Sequence, residues 1–164
     1  MKFYLPTNKQ KIELDIKLLK NVIGIENLET IANSNPGFIY VPAELIATIK
    51  QIFHSISLTF HTSSSKTIRH QFTNRMFPKK FKIQNYLESS NKKDFIVIFV
   101  NWGSDAEIEK VLRELSYQED ELLNLDTYTD LNLLVQVYGI TDQEKKLNDW
   151  LEATIHNTIA LKNL

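Results

Sequence analysis

The 164-residue sequence predicts an α+β domain, or an irregular α/β one, built on a single mixed β-sheet with helices packed against it and ending in a C-terminal amphipathic helix. Three observations predict this class. Residues 95–100, Phe-Ile-Val-Ile-Phe-Val, are apolar at every position and rich in β-branched and aromatic side chains, the pattern of a central strand covered on both faces. Ser104 and Glu107 follow with the spacing of a capping box, so this strand leads straight into a helix. Elsewhere, helical stripes and alternating runs intermingle without the regular strand–helix alternation of a doubly wound sheet.

Taken in order, Phe3, Tyr4 and Leu5 make a short extended piece. Thr7 and Gln10 are spaced as a capping pair, and Ile12, Ile16, Leu19 and Ile23 recur at three and four residues with Leu18 and Val22 beside them. That stripe predicts an amphipathic helix over residues 8–22, ended by Gly24. Residues 25–32 add a short helix, and Asn33-Ser34-Asn35-Pro36-Gly37 is a turn. Residues 38–41 read as a short strand. Pro42 suits the start of a helix whose stripe is Leu45, Ile46, Ile49, Ile52, Phe53 and Ile56. Leu58 and Phe60 alternate with polar neighbours and predict a half-buried strand over residues 57–62. Residues 66–77 admit helix or strand. The four-residue spacing of Ile68, Phe72 and Met76 favours helix, and Pro78 ends it. Phe81 and Ile83 alternate with Lys82 and Gln84, predicting a strand before a polar turn at residues 87–93.

Beyond the central strand, Ile108, Val111, Leu112 and Leu115 form the inner face of a helix from Asp105 to about Ser116. Residues 117–125 read as loop or short helix. Leu131, Leu133, Val135 and Val137 alternate as a strand interrupted by Gly139. Thr141 and Glu144 repeat the capping-box spacing ahead of a final helix marked by Leu147, Trp150, Leu151, Ile155 and Ile159.

The length suits one compact domain spanning residues 1–164. There is no cysteine, which excludes disulfides, thiolate nucleophiles and Cys-ligated metal, and fits a reducing cytoplasm. No apolar run approaches the length of a membrane span or signal-peptide core, so no membrane association is expected. No glycine-rich phosphate loop or nucleophile elbow is present. His54, His61 and His70 invite a metal, but no carboxylate lies between Glu44 and Glu88 to share it, and no metal or cofactor is expected. His156, near the end of the last helix, reads as structural. Glu144-Lys145-Lys146 with Asp130 superficially resembles a nuclease triplet, yet Glu144 already has a capping role. Trp102, at the end of the central strand, closes the core more readily than it lines a ligand site.

Charge is the most informative feature. The formal net charge is only −1, yet seven Lys and Arg and no acid lie between Leu45 and Leu87, while nine acids against two bases lie between Asp105 and Asp130. Such blocks usually solvate opposite surfaces. They can also steer partners. The reading adopted from the sequence is a non-catalytic protein-binding domain, a small bacterial inhibitor of the immunity type that neutralises a toxin or nuclease by surface blockade. Its acidic surface would be Glu114, Tyr117, Glu119, Asp120, Glu121, Asp126, Tyr128 and Asp130, facing a partner with a basic surface. The alternative is a nucleic-acid-binding or nucleic-acid-processing domain that grips phosphates with Lys66, Arg69, Arg75, Lys79, Lys80 and Lys82.

Overall fold

The computed structural model describes residues 1–6, 11–61, 67–89, 91–146 and 149–161. Its centre is the expected strand, β4 (Phe95–Val100), buried at all six positions. Ile96, Ile98 and Val100 point into one core, and Phe95, Val97 and Phe99 into a second on the opposite face. Each of these side chains contributes about 1.5–3 kcal/mol only if both faces are covered. The chain supplies that cover as two helical layers, giving the α+β class.

Both edges of β4 are paired. On one side lies β3 (Phe38–Pro42), itself buried throughout, and on the other β2 (Lys11–Ile23). The outer edge of β2 is shared end to end: β1 (Lys2–Pro6) pairs with its first half and β5 (Ser116–Asp120) with its second. The sheet therefore has five strands, and its described pairings are all antiparallel, where a mixed sheet was expected.

Strand β2 is the largest departure from the sequence reading, which made residues 8–22 a helix. Residues 7–10, with the Thr7–Gln10 capping pair, lie outside the described residues. Within Lys11–Ile23 two periods coexist. Ile12, Leu14, Ile16 and Leu18 alternate, and all four are buried in the first core. The open edge of β4 selects that period over the helical one, since Leu14–Leu19 pair with β4 residue for residue. The register then slips between Lys20 and Ile23, with Asn21 at φ 54°. This bulge reverses the alternation and sends Val22 to the second core beside Leu19.

The second core is roofed by α1 (Ile25–Ser34), through Leu28 and Ile31, and by α5 (Asp105–Leu112), through Ile108 and Leu112. Ser104 caps α5 as expected, its hydroxyl accepting from the Glu107 amide at 3.3 Å. The helix ends at Leu112, short of Ser116, because the chain turns there to join the sheet as β5. Trp102 packs edge-on against Phe99 at 5.0 Å and closes this core. Gly37 lies beneath it: a Cβ there would stand 2.7 Å from the Val100 carbonyl oxygen, so the close approach of β3 and β4 requires glycine.

The first core is roofed by α2 (Ile49–His61), α3 (Ile68–Met76), α6 (Leu131–Tyr138) and α7 (Trp150–Leu161). Pro42 ends β3 and leads into a tight helical turn, Ala43–Leu45, rather than directly into α2. Residues 57–61, expected as strand, continue α2, because Ser55 and Thr59 share a buried helical face with Ile52 and Ile56. Residues 83–85, also expected as strand, open the short helix α4 (Ile83–Ser89). Residues 131–138, expected as strand, are helical because both ends are specified: the Asp130 carboxylate accepts from the Leu133 amide at 3.0 Å, and Gly139 takes the left-handed conformation at φ 66°. Thr141 and Glu144 form a reciprocal capping box on a single turn, Glu144–Lys146. Leu147 lies outside the described residues, and α7 buries Ile155 and Ile159.

A buried polar network ties three of these helices together. The Gln51 amide donates to the Tyr138 hydroxyl at 2.9 Å, which in turn donates to the Met76 carbonyl at 2.8 Å. Burial pushes the Tyr138 hydroxyl far above the ordinary phenol range, so it stays a neutral donor. Tyr138→Phe strands the Met76 carbonyl and should lower unfolding free energy by about 1–3 kcal/mol, read from denaturant midpoints at unchanged m-value. No loss of stability would show that water or rearrangement satisfies these groups.

Candidate functional site

The two charge blocks meet different fates in the fold. The basic segment supplies α3, the turn after it and α4, which with α1 and the outer edge of β3 enclose a cleft of about 1110 Å³. Arg69, Arg75, Lys79 and Lys82 line it together with His70; Lys80 is exposed but stands outside its lining, and Lys66 lies outside the described residues. Phe77, Phe81 and Ile83 supply apolar wall. Phe72, on the helical stripe with Ile68 and Met76, is fully buried.

Glu29, the one carboxylate among the cleft's lining residues, had no signal in the sequence. It takes a two-pronged ion pair from Arg69, at 2.8 and 3.1 Å, and a 2.5 Å hydrogen bond from the Tyr40 hydroxyl. The guanidinium also lies 5.8 Å from the Tyr40 ring centroid. Burial alone would raise the Glu29 pKa, but hydrogen bonds from Arg69 and Tyr40 hold it below its ordinary value. Burial and the adjacent carboxylate push the Tyr40 hydroxyl well above the phenol range. Arg69 is thus committed to joining α3 to α1 across the edge of β3. Arg75, Lys79 and Lys82 give the cleft its positive character.

The acidic block is threaded into structure. Glu119, on β5, pairs with Lys17 at 3.0 Å. Asp120 is a hub: it accepts from Tyr128 at 2.5 Å, Asn124 at 2.8 Å and the Glu121 amide at 2.8 Å, and it pairs with Lys20 at 3.4 Å. These hydrogen bonds, that from Tyr128 foremost, hold the Asp120 carboxyl far below the usual carboxylate range, and the same contact raises the Tyr128 hydroxyl to about 12. Asp130 is the α6 cap, and Tyr117 packs against the second core. Residues 117–125, expected as loop or short helix, are the end of β5 followed by a helical turn, Leu122–Thr127. Glu114, Glu121 and Asp126 remain exposed. Between the last two stands Leu123, 80% exposed while its neighbours Leu122 and Leu125 are buried; Leu131, four residues beyond Thr127, is 53% exposed.

His54 stands edge-on to His156, with ring centroids 5.3 Å apart. Among the described residues no group of three or more His, Asp and Glu side chains is placed to hold a metal, and no helix is long and apolar enough to cross a membrane.

A family model described as kinase binding protein CGI-121 matches residues 8–163, nearly the whole chain. The chain belongs to the CGI-121 family. No curated protein matches it. Membership fits a protein-binding role; it does not fit the bacterial immunity protein expected from size and charge, because the CGI-121 family is named for a kinase partner and not for a toxin or nuclease. The charge layout alone could not make that distinction.

The Asp120 hub yields a pH prediction. A carboxylate whose pKa is lowered by folding contributes stability above its unfolded pKa, and loses it as pH falls towards the folded one. Asp120→Asn should therefore destabilise the protein at neutral pH, with the difference from the parent shrinking progressively below about pH 4. A difference independent of pH across this range would show that lost packing, not charge, is responsible.

Proposed function

We propose that this protein is a non-catalytic binding subunit whose partner is a cytoplasmic protein kinase, engaged through the surface around Leu123. The observation that carries the proposal is the exposed Leu123 flanked by the acidic Glu121 and Asp126 on a turn pinned by Asp120. A rigid apolar anchor with a charged rim is the form that protein interfaces favour. The eight residues of the acidic surface divide by role in this reading. Asp120, Tyr128 and Asp130 set the shape of the turn, Tyr117 and Glu119 fix β5, and Glu114, Glu121 and Asp126 present charge to a basic patch on the kinase. Support for the kinase as partner comes from family membership.

A second reading, single-stranded nucleic-acid binding, is favoured by the cleft, where Arg75, Lys79 and Lys82 stand beside Phe81. Neutralising Lys79, Lys80 and Lys82 together should then abolish a salt-sensitive binding of mixed-sequence RNA; absence of such binding in the parent protein would dismiss this reading.

The main proposal is tested against the purified kinase that co-purifies with the chain. Leu123→Arg should weaken binding about tenfold or more, chiefly through faster dissociation. Glu121→Lys with Asp126→Lys should slow association and flatten its salt dependence. Unchanged affinity and rates in both variants would remove this surface from the interface, and failure of any kinase to co-purify would remove the partner.

A further inference from the structure

We propose that His54, set against His156, forms a proton-operated latch between α2 and α7, holding the final helix against the domain at neutral pH and releasing it when the His54 ring is charged. The arrangement is a ladder of two rungs. Lys50 pairs with Glu152 at 2.9 Å, and one helical turn further along both helices His54 faces His156, ring centroids 5.3 Å apart at 81°. Nε2 of His156 is buried against this contact and meets no hydrogen-bond partner. His54 is itself held below the ordinary histidine pKa, first by burial and then by the proximity of His156.

The surroundings offer little to neutralise a charged His54 ring. On α2 the nearby charge is Lys50, which adds to the repulsion; on α7 it is Glu152, engaged by Lys50 and within electrostatic reach of His156 rather than of His54. Asp149, just before α7, acts on Lys50. Helix α6 carries no charged side chain. On α3, Arg69 is committed to Glu29, His70 contacts Asn74, and Arg75 lines the cleft. On the turn before α7, Glu144 is held by Thr141 and Lys145 by Asp142, leaving Lys146 as a further cation.

Release is feasible because α7 contributes only two fully buried side chains, Ile155 and Ile159, to the first core. Letting it go would expose those residues and the Ile52 and Ile56 face of α2, a new apolar surface created by acid. The sign follows from the lowered His54 pKa. Docking is fully stable above about pH 6.5 and weakens as pH falls, because the undocked ring takes up its proton first.

The test is amide hydrogen exchange on the whole chain at pH 7.5 and 5.5, corrected for the intrinsic rate. Protection of residues 150–161 should fall several-fold at the lower pH, while β4 keeps its protection. In His54→Phe, which keeps an aromatic ring against His156, the pH-dependent part should vanish. Proton NMR titration of the parent's imidazoles gives an independent readout, with His54 titrating below the ordinary histidine value. Parallel loss of protection in α7 and β4, an undiminished response in His54→Phe, or ordinary titration of His54 would each overturn the latch.

Discussion

Strand β4 needs burial on both faces and pairing along both edges, and most of the fold answers one or the other demand. Its Phe95, Val97 and Phe99 face draws α1 and α5 onto one side; its Ile96, Ile98 and Val100 face draws α2, α3, α6 and α7 onto the other. Its edges recruit β3 and the long strand β2. Because β2 reaches past β4, it offers its outer edge to β1 and β5 in succession, and so places residues 116–120 in the sheet. The turn bearing Leu123 begins where β5 ends, so the proposed interface inherits its position from the central strand.

How legible this was in the sequence depended on whether a segment carried one periodicity or two. Residues 95–100 carried no polar residue on either face, and the buried strand was read directly. Ser104 and Glu144 announced their helical turns because a cap is a local contact. Residues 11–23 fitted helix and strand alike, and the deciding factor, an open edge of β4, lies some eighty residues away in the chain. Residues 131–138 were also ambiguous by period, but there the signals were present at both ends: Asp130 and Gly139 were a cap and a stop that the alternation of Leu131, Leu133 and Val135 obscured.

The candidate surfaces were legible as charge and not as chemistry. Counting acids located residues 105–130, but Lys17 and Lys20, which pair with Glu119 and Asp120, come from β2. Several acids thereby serve the fold, and an apolar residue, Leu123, takes the prominent position. The basic block changed in the same way: Arg69 is consumed by Glu29, forty residues earlier, and the remaining cations gather around a cleft instead of lying along a helix face. A linear count weights every charge alike, whereas burial and pairing decide which ones face solvent.

Family membership directs attention to a protein partner, and the surface proposed for it is the turn after β5, where Leu123 is exposed. Hydrogen exchange of the chain alone and in complex with the proposed kinase partner addresses that claim most directly. The account predicts new protection concentrated in residues 116–131, with the cleft-lining residues 67–87 unaffected. Protection confined to the cleft, with residues 116–131 exchanging as in the free chain, would contradict it.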